Sequence, residues 1–229
     1  MMENQPFPRT GVVAENMNRD LKSLRAMLQE QHGHVYGYVV DTIQYAGEAF
    51  VQTGSGPNFQ GGIITLCTCK HLMRSALELD AWPGVWIAGF TGVNRVPGER
   101  FNYLFYLMKV SDAYLSHRDL WNKVPDTVRR AKVAQLHRLG DLYEPRKPGG
   151  DPFDPGSYET PRSDHSHYHE NGWHKDVYYE GYGGRPPALL VGDRQLSFLW
   201  DRPMIPFPPP MHPRTKKYGD LSDLLTRLK

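Results

Sequence analysis

The densest chemistry in the sequence lies in the segment 164–176, DHSHYHENGWHKD, which holds four of the ten histidines. Imidazole is a common ligand for zinc or iron, and alternation in an extended chain would place His165, His167 and His169 on one side. A turn at Gly172 could return His174 and Asp176 towards them. The spacing matches neither His-Glu-x-x-His nor a paired Cys-x-x-Cys, and no extra carboxylates stand by to neutralise a divalent ion. The expectation is therefore that the protein carries no tightly bound metal and needs no cofactor. In that case His167, His169 and Asp176 are the candidate catalytic groups, acting as hydrogen-bond donors or as acid and base near neutral pH. Tyr168, Trp173, Tyr178 and Tyr179 could stack on bases or glue the loop to the domain.

A second group is Cys69, Lys70 and Arg74. If a helix starts after a strand here, Lys70 and Arg74 share one face near its N-terminal end, a setting that suits phosphate. The plainer reading is a solvated basic face. Cys69 is either a nucleophile activated by that same setting or a small buried filler. Asp141 and Tyr143 follow a helix stop and either cap it or enter a pocket. Asp193, in Gly192-Asp193-Arg194, reads first as a turn residue that accepts backbone hydrogen bonds.

These groups must be positioned by a chain of 229 residues, long enough to bury a core without staples. Lys and Arg number 27 against 25 Asp and Glu, so nucleic-acid contact by charge alone is excluded and any such contact is local. The two cysteines, Cys67 and Cys69, lie two apart on an expected strand and cannot easily bridge, which rules out a disulfide scaffold. No run of eighteen apolar residues occurs, and the N-terminus lacks the apolar stretch of a signal peptide. A cytoplasmic protein without membrane contact is expected.

Leu21, Leu24 and Leu28 predict a helix capped by Asn18 and ended by Gly33. Strands are expected at 35–40, 62–69, 84–90 and 102–110, the last two as antiparallel neighbours joined by a polar loop. Residues 70–79 read as helix, Ser116 opens a short helix, and 125–139 continues with helical character. Residues 141–187 form a long loop rich in Pro, Gly, Tyr and His, and loops of that length are usually functional. Two strands, 188–191 and 196–200, bracket Gly192-Asp193-Arg194. Prolines from Pro203 to Pro213 then force an extended path, and Leu221, Leu224, Leu225 and Leu228 form a stripe opened by Asp220. The reading is an arm and helix at 1–34, one core domain at 35–200, and a Pro-rich segment with a helix at 201–229.

The segment around Gly56-Pro57-Asn58-Phe59, the run Thr65, Leu66, Cys69, Lys70, Arg74, and the strand Trp86 to Phe90 resemble the nucleotide modification associated domain family, second type. That family belongs to bacterial and phage neighbourhoods that modify DNA bases. The resemblance begins at Tyr38, covers about two thirds of the chain, passes through Leu104 to Val110, and returns weakly at Gly140-Asp141 and Leu189 to Asp193. The chain departs from the pattern at His71, where the family has Pro, and at Pro83-Gly84, where it has Gly-Asp. The order of strand, helix, Trp-bearing strand and Met-Lys-Val strand is also similar to PUA-like base-reading folds of the pseudouridine-synthase and archaeosine-transglycosylase class.

The expected fold is α+β, with a small, strongly curved or barrel-like mixed sheet, PUA-like, flanked by helices and a long ordered loop. The resemblance implies a protein of DNA modification or phage defence that recognises or processes a nucleotide or base. Cys69, Lys70, Arg74, Trp86, Asp141, Tyr143 and His174 are then the nucleotide-binding candidates. The partner is a nucleotide or DNA, modified or single-stranded, with protein partners from such a system. Two alternatives stay open: a metal-dependent or acid–base enzyme working through His167, His169, His174 and Asp176, and an adaptor that presents Pro206 to Pro210 as a polyproline ligand.

Overall fold

The computed structural model describes residues 15–134, 142–179, 184–208 and 216–229. Along these the chain forms α1 (Leu21–Leu28), β1 (His34–Val39), β2 (Ile43–Ala46), β3 (Ala49–Gln52), β4 (Thr65–Leu66) and α2 (His71–Arg74). There follow β5 (Trp86–Phe90), β6 (Asn102–Tyr114), α3 (His117–Lys123), α4 (Asp126–Val133) and α5 (His174–Val177). The last elements are β7 (Leu189–Leu199), β8 (Pro206–Phe207), β9 (Lys216–Asp220) and α6 (Leu221–Arg227). The fold is α+β, with a mixed seven-stranded sheet ordered β4-β7-β6-β5-β1-β9, to which β8 adds by pairing with β6. β1 and β5 run parallel, while β5–β6, β1–β9 and β4–β7 are antiparallel. The path ends at two different edge strands, so the sheet is open and not closed into a barrel. Among the described residues, no helix is long and apolar enough to cross a membrane.

The chain divides into two compact units, each built from separated segments: residues 1–53, 84–110 and 193–229 form the first, residues 54–83 and 111–192 the second. In the first unit, the buried faces of α1 and α6 and of β1 and β5 meet in a core that includes Leu24, Leu28, Trp86, Phe90, Phe198, Trp200, Leu221 and Leu224. Burying such side chains contributes roughly 1.5–3 kcal/mol each and holds this unit together. Gly89 in β5 is required by close approach, since a Cβ built there would lie 2.0 Å from the Tyr106 ring.

The second unit has a core of Ile63, Cys67, Leu120, Val128, Leu142, Leu189 and Val191. Buried Lys132 of α4 donates its Nζ to the carbonyls of Asn58 and Ile63, both at 3.0 Å, which anchors the segment leading into β4. The loop beyond α4 carries its own small cluster, Tyr143, Tyr158, Trp173 and Val177. Trp173 therefore glues the loop internally, and Tyr178 is exposed.

Several local expectations are corrected. Helix α1 is capped by Asp20, whose Oδ1 accepts from Ser23 N at 2.7 Å, while Asn18 donates instead to Asp201 Oδ1. The helix expected at 70–79 is one turn, His71–Arg74, followed by a 3-10 turn at Leu79–Ala81. It stops because Arg74 O accepts from Ala188 N instead of continuing the helical ladder. The strand expected over 62–69 shrinks to β4, so Cys67 is buried beside it, Cys69 lies beyond it in a turn, and both are free thiols. The two strands expected around Gly192 are one, β7, whose polar middle is exposed while Asp193 Oδ1 accepts from Gln195 N and Leu196 N.

Candidate active site

The second unit gathers its chemistry around Asp176 in α5. The carboxylate is wholly removed from solvent, and its two oxygens receive four donors. Oδ2 accepts from His167 Nδ1 at 2.7 Å and from the Tyr143 hydroxyl at 3.3 Å. Oδ1 accepts from His71 Nε2 at 3.0 Å and from the backbone N–H of Cys69 at 3.3 Å. A carboxylate left without donors in such a place would be prohibitive, and four of them satisfy its acceptor capacity.

On its far side, the His167 ring turns Nε2 to the Cys69 sulfur, 3.5 Å away. Because a carboxylate only accepts, Nδ1 carries the proton and Nε2 is the nitrogen that faces the thiol. Thiol, imidazole and carboxylate thus stand in series, the arrangement that activates a cysteine nucleophile. The hydrogen bond from Asp176, joined by the contact with Cys69, pushes His167 up to about 10, against the opposing effect of burial. Burial raises the Asp176 carboxyl, but the hydrogen bonds from His167 and His71 outweigh it and hold the group well below the usual carboxylate range. His71 moves the other way, lowered chiefly by burial despite its bond to Asp176.

The thiol is presented on a strained turn. Cys69 and Lys70 are both left-handed, with φ of 57° and 49°, a conformation that costs about 1–3 kcal/mol for each residue other than glycine. Two clamps hold it. Asp176 takes the Cys69 N–H, and the buried Arg74 guanidinium donates through Nε to Cys69 O at 2.9 Å and through Nη1 to Ala188 O at 2.7 Å and Pro187 O at 3.3 Å. Arg74 is thus wholly buried and its cation is directed at backbone carbonyls, whereas Lys70 is half-buried and precedes α2.

Two further buried histidines set the frame. His165 accepts the His167 backbone N–H on Nδ1 at 2.9 Å, which leaves Nε2–H to donate to Ser55 Oγ at 3.3 Å. His117 accepts the Tyr143 N–H on Nδ1 at 3.2 Å and donates from Nε2 to Asp176 O at 3.1 Å. Each therefore has its tautomer dictated by backbone groups, and each fixes one member of the series.

Of the residues singled out from sequence, Cys69, His167, Asp176 and Tyr143 come together. His165 supports them from behind. His169 is exposed, with its ring against Tyr168, and His174 packs its ring on Trp173. Trp86 lies in the core of the first unit, its Nε1 donating to His32 O. Asp141 lies outside the described residues, as do Pro209 and Pro210 of the polyproline segment. Among the described residues, no cluster of three or more His, Cys, Asp or Glu side chains is suited to hold a metal ion. His71 and His117 were missed in the sequence. His71 had one signal, its place where the resembled family has proline. Comparison with family models, with curated proteins and with solved structures returns no match for this chain.

Proposed function

We propose that the second unit is a cysteine-nucleophile enzyme that attacks an acyl carbon, an ester or amide, carried by a nucleotide or modified base. The observation that supports the chemistry is the series Cys69 Sγ, His167 Nε2 at 3.5 Å, and Asp176 Oδ2 at 2.7 Å from His167 Nδ1. Asp176 orients the imidazole and favours its charged form, and the charged ring faces the sulfur where negative charge is needed. Attack by the Cys69 thiolate forms a C–S bond as the C–O or C–N bond breaks, and the leaving group takes the electron pair and a proton from solvent, giving a thioester that a second nucleophile resolves. The nucleotide part of the reading rests on the resemblance at Thr65 to Arg74 and Trp86 to Phe90. Lys70, at the edge of the same turn, is the cation it would use for phosphate. A PUA-like curvature of the open sheet belongs to that same reading.

The test is alkylation of Cys69 by iodoacetamide in the full chain at pH 6, followed by peptide mass spectrometry. Cys69 should react at least tenfold faster than free cysteine, and His167→Ala should abolish the advantage. Equal rates for Cys69 in the wild type and in His167→Ala would remove the nucleophile assignment.

A further inference from the structure

Asp176 is bonded by two imidazoles, one on each oxygen, and only His167 faces the sulfur. His71 donates through Nε2, so its Nδ1 is the basic nitrogen, and no hydrogen bond to that atom is present among the described residues. The ring is 18% exposed and lies stacked on Tyr179 with centroids 4.7 Å apart, which fixes its plane. His71 Nε2 and the Cys69 N–H share the same Asp176 oxygen, so the second imidazole stands beside the nucleophile's own backbone.

We infer that His71 is the general base of the second half-reaction, with Nδ1 taking the proton from the water or acceptor hydroxyl that resolves the Cys69 thioester. This rests on the nucleophile reading and adds a division of labour to it. His167 is poorly suited to that step, since its bond to Asp176, which acylation of the sulfur leaves in place, favours its charged form. His71 faces Asp176 on Nε2 and Tyr179 on its ring face, with Arg74, His167 and Cys69 as the other polar or charged neighbours. Burial together with the two cations lowers it, so the ring is neutral and able to accept near pH 7. Two titratable groups on one carboxylate, displaced in opposite directions, are the usual sign of separate acid and base duties.

The water oxygen bonds to the acyl carbon as one of its protons passes to His71 Nδ1. The tetrahedral centre then collapses, the C–S bond breaks, and its electron pair returns to Sγ opposite the His167 cation. The carboxylic acid leaves, and His71 releases its proton to solvent.

The probe is p-nitrophenyl acetate. Its rapid release of nitrophenolate reports acetylation of Cys69, its steady rate reports hydrolysis of the thioester, and intact-mass analysis counts the acetyl group. His71→Gln retains an amide donor for Asp176 Oδ1 but has no basic nitrogen. It should slow thioester hydrolysis about 10²–10⁴-fold, the usual scale of a general base, with a far smaller loss in acetylation, so that acetyl-Cys69 accumulates. The acidic limb of the wild-type hydrolysis profile, falling below pH 6.5, should disappear in the variant. Hydrolysis in His71→Gln at the wild-type rate would overturn the assignment and reduce His71 to a donor that positions Asp176. Should the variant fail to acetylate, the wild-type profile decides, and a hydrolysis rate that falls nowhere below pH 6.5 while the protein stays folded overturns the proposal. If Cys69 of the wild type is never acetylated, the nucleophile reading falls together with it.

Discussion

His165 accepts the backbone N–H of His167 on its Nδ1 at 2.9 Å, so one buried histidine fixes the main chain of another that bonds Asp176. Removing the ring takes the acceptor from that N–H, a loss of about 1–3 kcal/mol for a buried group left unpaired. His165→Ala should lower the urea midpoint accordingly and slow iodoacetamide labelling of Cys69. His165→Asn, which offers a carbonyl oxygen near the place of Nδ1, should recover most of the labelling rate. Labelling equally slow in both variants would show that the ring's bulk, and not its acceptor, is what matters.

The titration of His167 carries a definite sign. Its folded value is raised from 6.5 to about 10, so its contribution to stability is complete below pH 6.5 and is lost as pH rises through 10. Asp176 is depressed, so its contribution is present above 3.8 and is lost as pH falls through the lowered folded value. His71, lowered in the folded state, opposes folding increasingly below 6.5. The stability gap between wild type and His167→Gln should therefore be widest below pH 6.5 and close towards pH 10. Imidazole resonances followed by NMR should place His167 well above 6.5 in the wild type and bring it down sharply in Asp176→Asn.

Arg74→Met retains much of the side chain's volume but withdraws the donors from the carbonyls of Cys69, Pro187 and Ala188. Leaving these buried carbonyls without their charged donor costs roughly 1–3 kcal/mol for each one left unpaired. The expected result is a lower denaturation midpoint and a Cys69 that labels at the rate of free cysteine in the folded fraction. A surface role for the cation predicts instead an unchanged midpoint.

In the first unit, Gly89→Ala would bring a Cβ to 2.0 Å from the Tyr106 ring, inside a core where Tyr106 and Tyr38 share a 2.7 Å hydroxyl contact. Overpacking of this kind costs about 1–3 kcal/mol or more. Thermal melts should show the loss, and Gly89→Ala combined with Tyr106→Leu should recover part of it.

Legibility followed range. β1, β5, the antiparallel partner β6, and the capped helices at Ser116 and Asp220 were readable because period, cap and turn are local signals. Cys69, His167 and Asp176 were each readable as reactive types, yet nothing local joins a thiol to an imidazole 98 residues away or to a carboxylate 107 away. The helix at residues 70–79 was overread because helical propensity is a weak prior, and Ala188, far along the chain, supplies the N–H that ends it. Lys70 and Arg74 do not share a helical face, because Lys70 is left-handed and outside the helix. The partition into two units from discontinuous segments is not legible either, since β6 and β7 each continue as one strand from one unit into the other.

The clamp on the thiol turn also fixes when in synthesis the thiol can mature. Cys69 emerges from the ribosome before its partners: the carboxylate that holds its N–H follows 107 residues later, and the carbonyl that seats Arg74 comes 114 residues after the arginine. Until residue 188 has been made, the Arg74 side of the clamp is unseated, and the two left-handed residues lack part of what holds them. On the nucleophile reading, nascent and truncated chains therefore carry an ordinary cysteine, and its activation waits until nearly the whole second unit is complete.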